Sequence, residues 1–128
     1  MRYSKHRKGT SCPGCNDRLF VGHPEIVRAF NFVKSLHPDA HCSWIYRGPE
    51  DQNAFKKAGT SKASFGESKH NKTPAEAMDL FQQDDAGVGR YSREFYALVN
   101  KELQAAGFKI RWGGDFKSFP DFGHWELV

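Results

Sequence analysis

Two stretches constrain this chain more than any others. The first is Ser68-Lys-His70-Asn-Lys-Thr-Pro74-Ala-Glu-Ala77-Met-Asp79, and the second, near the C-terminus, is Asp121-Phe-Gly-His124-Trp-Glu126-Leu. A fold that joins them sets His70, Asp79 and His124 around one point. Two imidazoles, one carboxylate and an open fourth position suit a catalytic zinc ion; structural zinc sites are more often closed by four protein ligands, commonly cysteines. Asp121 precedes His124 by three residues and is free to act on a water at such a metal. Pro74 turns the chain between His70 and Asp79. Spacing alone does not decide the matter. His70 also reads as a solvated loop residue, and Asp79 as a strand-end cap.

The rest of the chain limits what can surround these residues. Its 128 residues fit one domain with one core. Apolar residues make up 38% and charged residues 27%, too apolar for a disordered chain. No run of about 18 apolar residues exists, so no membrane span is expected. The start, Met1 to Gly9, is basic with no apolar stretch behind it, so it is not a secretory signal. The expected location is the cytoplasm of the producing cell. Net charge is +4, with basic residues at Arg2, Lys5, Arg7 and Lys8 and from Lys56 to Lys72. Such clusters read as solvated surface or as attraction to a polyanion. Three cysteines, Cys12, Cys15 and Cys42, argue against a disulfide framework. Cys12-Pro-Gly-Cys15 resembles half of a zinc knuckle, but His23, His41 and Cys42 complete no standard spacing. Free thiols are expected, with Cys42 a small buried hydrophobe.

Taken in order, residues 1–22 read as an irregular basic arm and residues 23–128 as the single domain. A helix is predicted over His23 to His37, with Pro24 in its first turn and Pro38 beyond its end. Ile26, Val27, Phe30, Val33 and Leu36 form its apolar stripe. His37 caps it; His6, His23 and His41 are also taken as surface or cap residues. Ala40 to Tyr46 reads as a strand, Pro49 to Ala58 as a short helix, and 60–73 as a long polar loop. Ala77 to Phe81 reads as a strand that puts Ala77, Asp79 and Phe81 on one face. Gly87 and Gly89 mark a turn. Tyr91 to Ala106 is the second long helix, with Phe95, Leu98, Val99 and Leu103 inward and Gly107 at its cap. Phe108 to Trp112 and Phe122 to Val128 are the last strands, with Gly113-Gly114 turning between them. The fold class is α+β: a small antiparallel sheet with flanking helices.

Three ordered motifs resemble one family. Ser68-Lys-His70 to Ala77-Met-Asp79 is similar to the metal motif of the zinc D-Ala-D-Ala carboxypeptidases and L-alanyl-D-glutamate endopeptidases, although the His-to-Asp gap here is two residues longer. Trp112-Gly-Gly-Asp115 with Asp121-Phe-Gly-His124 resembles that family's terminal segment. Trp44-Ile-Tyr46-Arg47 with Glu50-Asp-Gln52 resembles its strand ending in Tyr-Arg. The resemblance covers residues 40 to 128 and leaves the Cys12/Cys15 segment without a match. It implies the fold shared with the Hedgehog signalling domain. It implies one Zn2+ held by His70, Asp79 and His124, Asp121 as general base, and Arg47 at the substrate carbonyl. The implied substrate is the peptidoglycan stem peptide; no nucleic-acid partner is implied, and a monomer is expected. Small size, no signal and no wall-binding domain resemble a phage endolysin that reaches the wall after release. Aspartate at position 121 favours the endopeptidase branch over the carboxypeptidase branch. A non-catalytic zinc-containing binding module is the alternative from another class. Three residues keep two readings each. Asp115 is a turn former or a partner of a ligand imidazole, Glu126 orients His124 or faces solvent, and Ser68 bonds loop backbone or touches substrate.

Overall fold

A computed structural model describes residues 15, 18–59, 61, 63, 65–83, 86, 88–117 and 120–128. Cys12, Gly87 and most of the basic N-terminal stretch lie outside the described residues.

Helix α1 spans Pro24–Leu36. The His23 imidazole caps it, Nδ1 accepting from the Glu25 N–H at 3.1 Å. Ile26, Ala29, Phe30 and Val33 are buried, but Leu36 is 48% exposed. The predicted stripe thus ends one turn early. The last turn of α1 is held to helix α3 (Arg93–Ala105) by a polar contact instead: His37 Nε2 lies 2.6 Å from Glu102 Oε1. Ser92 caps α3 through its hydroxyl, which accepts from Phe95 N–H. Tyr96, not Leu98, joins Phe95, Val99 and Leu103 on the buried face, and Leu98 is half exposed. Gly107, at φ 85°, supplies the left-handed residue after α3. Phe108 N–H bonds back to Leu103 O, so Phe108 belongs to that cap and not to the next strand. Helix α2 spans Pro49–Lys57 and buries only Gln52.

Five strands form one antiparallel sheet: β1 (Ala40–Trp44), β2 (Ala77–Gln83), β3 (Gly89–Arg90), β4 (Ile110–Trp112) and β5 (His124–Leu127). The order is β1-β2-β5-β4, with β3 paired to β2. The α+β expectation holds. Met78 and Leu80 on β2 and Trp125 on β5 enter the core beneath α1 and α3. Side chains alternate along a strand, so Asp79 and His124 point to the opposite face. The register decides the site: Asp79 pairs with Trp44 on one side and with His124 on the other.

One further expectation needs correction. His41 is fully buried, not a surface residue, because Cys15 covers it with Sγ 3.5 Å from Nδ1. The segment before His23 also contributes to the core. Cys15 and Leu19 are buried, and the chain at Val21 and His23 exchanges backbone bonds of 2.9 and 2.8 Å with Ala75. Cys15 and Cys42 are both fully buried.

Candidate metal centre

The long loop before β2 is ordered at its end by a 3-10 turn, Lys69–Asn71. Ser68 Oγ accepts from His70 N–H, and Asn71 Oδ1 accepts from the Ser68 and Gly66 N–H groups. Of the two readings for Ser68, the structure thus shows the backbone bond. The turn is sewn to Arg47 in both directions: Arg47 N–H donates to His70 O at 2.9 Å and Asn71 Nδ2 donates to Arg47 O at 2.8 Å. His70 is 1% exposed, which rules out the solvated-loop reading.

Three ligand atoms face one another. His70 Nε2 lies 3.1 Å from Asp79 Oδ1 and 3.2 Å from His124 Nδ1, and His124 Nδ1 lies 3.0 Å from Asp79 Oδ1. A tetrahedral site with bonds of 2.0–2.1 Å has edges of about 3.3–3.4 Å, so the triangle needs little adjustment to hold zinc. The outer contacts fix the tautomers. His70 Nδ1 lies 2.8 Å from Ile45 O, which can only accept, so Nδ1 carries the proton. His124 Nε2 lies 2.9 Å from Glu126 Oε1, so Nε2 carries that ring's proton. In the neutral rings His70 Nε2 and His124 Nδ1 are then lone pairs, aimed at a carboxylate oxygen. Three lone pairs meeting at one buried point require a cation. The donor set of nitrogen, nitrogen and oxygen fits zinc.

Without a metal, protons must fill that role. Burial pulls the His124 pKa down, but its hydrogen bonds to Asp79 and Glu126 outweigh this and push it up to about 10. Burial alone would raise Asp79; the adjacent His70 charge and the bonds from both imidazoles hold it far below the ordinary carboxylate range. Burial likewise opposes ionisation of Glu126, and His124 reverses it, leaving Glu126 lowered.

Arg47 completes the surroundings. Its Nη2 donates to Asp79 Oδ2 at 2.9 Å and its Nη1 to Gln52 Oε1 at 3.2 Å. The guanidinium stacks near Phe55 and Trp44, 4.4 and 5.1 Å from the ring centroids. Gln52 is itself pinned, its Nε2 donating to Ala63 O at 2.7 Å and to Ser61 Oγ at 3.1 Å. The residue before β5 that matters is Asp121. Its backbone is clamped: Asp121 N–H donates to Gly113 O at 2.9 Å, and Asp121 O accepts from His124 N–H at 3.2 Å. This turn is why β5 begins at His124 and not at Phe122. Burial, then the charge of Asp79, raises the Asp121 pKa above the usual carboxylate range, while His124, His70 and Arg47 oppose the rise.

All five predicted site residues (Arg47, His70, Asp79, Asp121 and His124) line one open cleft of about 530 Å3. Glu126, whose two readings spacing left open, holds the His124 ring. Asp115 lies in the 3-10 turn Gly113–Asp115. Sequence reasoning gave no role to Gln52 or Asn71. Both lie within the motif stretches, but a polar side chain in a short helix or loop resembles surface until the segment covering it is known.

No protein family matches the chain in a family scan. Among solved structures, the chain is similar to the Serratia marcescens L-Ala D-Glu endopeptidase ChiX, with a TM-score of 0.73 and 24% identity over 89% of this chain and 86% of that one. The chain has the fold of that endopeptidase.

Proposed function

We propose that this chain is a zinc peptidase that hydrolyses the stem peptide of peptidoglycan, at the bond between L-alanine and D-glutamate. One observation carries the reading. Two imidazoles with their outer nitrogens already occupied turn lone pairs toward one carboxylate oxygen, in a cleft that also presents Asp121 and Arg47. The fold shared with the Serratia endopeptidase supports it.

His70, Asp79 and His124 would hold the zinc. Bound there, zinc polarises a carbonyl and lowers the pKa of water to about 7. The chain's own residues supply the remainder. Asp121 accepts the proton of the attacking water at its carboxylate and delivers it to the leaving amine, a role typically worth about 10²–10⁴-fold. Its raised pKa brings that carboxylate closer to the pH at which it must both take and return a proton. Arg47 fixes Asp79 through Oδ2 and leaves Oδ1 for the metal. Its charge also offsets negative charge on the substrate carbonyl oxygen. The catalytic unit is assigned to residues 23–128, with Cys15 and Leu19 packed into it. The reading includes an endolysin-like life cycle, in which the protein acts on the wall after release from the producing cell.

Digestion of purified peptidoglycan by wild type and Asp121→Ala, read by mass spectrometry with zinc content measured on both, tests this. New N-terminal D-glutamate from wild type only, with one zinc on each protein, is the expected result. Loss of terminal D-alanine alone would assign the carboxypeptidase branch. Bound zinc without fragments from any wall type would leave a binding module.

A further inference from the structure

Arg47 touches both Asp79 and Gln52, yet its guanidinium has few polar holds. Nε has no hydrogen-bond partner among the described residues. Nη2 donates to Asp79 Oδ2 and Nη1 to Gln52 Oε1. The direction of the guanidinium therefore depends on Gln52, together with the Phe55 and Trp44 rings beside it. Gln52 is in turn held by a further residue. The same Oε1 accepts from Asn71 Nδ2 at 3.4 Å.

Asn71 is the feature that the metal site does not explain. It is buried and does not line the cleft, so it is placed to act through other residues. Its carboxamide is occupied on both sides. Oδ1 accepts from Gly66 N–H at 3.0 Å and from Ser68 N–H at 3.1 Å, and these bonds order the loop. Nδ2 donates away from the loop, to Arg47 O at 2.8 Å and to Gln52 Oε1. A buried amide with both acceptor sites and both N–H groups engaged holds its partners in one arrangement. The Oδ1 pair serves the turn that carries His70. The Nδ2 pair serves Arg47, at the main chain directly and at the guanidinium through Gln52.

We propose that Asn71 is a positioning residue for the Asp79 carboxylate. By fixing Arg47 it keeps Nη2 on Asp79 Oδ2 and so keeps Oδ1 turned toward His70 and His124. One side chain thereby sets the ligand on the loop against the ligand on β2. The proposal rests on the zinc reading and deepens it, since it names a residue two contacts away from the ligand on which zinc affinity depends.

The test measures zinc affinity by chelator competition, with the unfolding midpoint of each metal-free protein beside it. Asn71→Asp keeps the shape and the acceptor for Gly66 and Ser68, and removes the donor to Arg47 O and Gln52 Oε1. It should weaken zinc about tenfold, the low end for loss of an outer partner. In an Arg47→Met background the same substitution should change affinity by no more than about twofold, because the path through Arg47 is already cut. An Asn71 that only orders the loop would weaken zinc equally in both backgrounds, and that result overturns the proposal, as does unchanged affinity in Asn71→Asp alone. If Asn71→Asp does not fold, Gln52→Met, which cuts the link to the guanidinium, is carried through the same cycle with the same expectation. Wall digestion by the unsubstituted protein separates the two claims. Cut walls with an effect independent of Arg47 remove the positioning role alone. Intact walls with an Arg47-dependent effect remove the peptidase reading alone. Intact walls and no zinc binding remove both.

Discussion

His124 and Glu126, two residues apart on β5, share a hydrogen bond of 2.9 Å between Nε2 and Oε1. Strand periodicity puts both on one face, and the bond turns Nδ1 of the ring toward Asp79. Arg111 Nη2 lies 3.1 Å from the other carboxylate oxygen and holds Glu126 from outside. The ring orientation that the proposed zinc site requires is thus set by a residue outside the proposed ligand set.

Glu126→Ala is therefore expected to weaken zinc binding by about 10–100-fold, the usual effect of losing such an outer partner. Glu126→Gln should recover most of it, because the amide oxygen still accepts from Nε2–H. Competition with a chromogenic chelator measures both. Equal affinity for the alanine variant and wild type would show that the sheet alone orients His124.

Asp121→Asn separates chemistry from metal binding. The substitution is isosteric and leaves the backbone bonds to Gly113 and His124 in place. The expected outcome is a fall in kcat of about 10²–10⁴-fold with full zinc occupancy. If zinc is lost in proportion to activity, Asp121 acts as a ligand and not as the base.

The fold was more legible than the site. Pro24 and Pro38 bracket α1, and Gly107 ends α3, so punctuation and periodicity located both helices. Leu36 misled because periodicity says which residues share a face, not how far the partner helix extends. His41 misled because its cover, Cys15, comes from a segment with no pattern of its own. The triad itself was invisible to spacing. It forms because Asp79 has both Trp44 and His124 as cross-strand neighbours and because a 3-10 turn carries His70 to the same face. Local pattern does not contain that register. Only the resemblance of ordered motifs pointed to it. Gln52 was hidden for a similar reason, since Ser61 and Ala63 close over it from a polar loop.

The metal-free protein should show a pH dependence that zinc removes. His124 has a folded pKa raised to about 10 from 6.5. A raised pKa gives stability that is fully present below the unfolded value and is lost as pH rises through the folded one. The unfolding midpoint of chelated protein is thus expected to fall as pH climbs from about 6.5 toward 10. Asp79 acts at the other end: its depressed pKa gives stability above the unfolded value that is lost in acid. On the proposed reading zinc would replace the protons between the ligands, so the loaded protein should not show the alkaline fall, and loading at neutral pH should release protons. Calorimetric scans with and without chelator measure the first effect, and zinc titration in buffers of different ionisation enthalpy measures the second. Parallel midpoints in both forms across that range would mean that His124 is not protonated in the metal-free site.

Gly113→Ala tests how tightly Asp121, the proposed base, is held. A Cβ at this position would lie 2.3 Å from Asp121 O and 3.0 Å from the His124 Cβ. The first obstacle is backbone, which cannot rotate away as a side-chain end can. Asp121 N–H also donates to Gly113 O, so the turn cannot open without breaking that bond. The cost should be about 1–3 kcal/mol, in the range of overpacking in a tight site. Displacement of Asp121 by about 1 Å should in addition reduce kcat by about 10²-fold. Gly59 offers no steric obstacle but has φ 78°, so Gly59→Ala isolates backbone strain away from the cleft. It should lower the midpoint and leave kcat unchanged. Full activity in Gly113→Ala would mean that the 113–121 turn can shift as a unit without moving the Asp121 carboxylate.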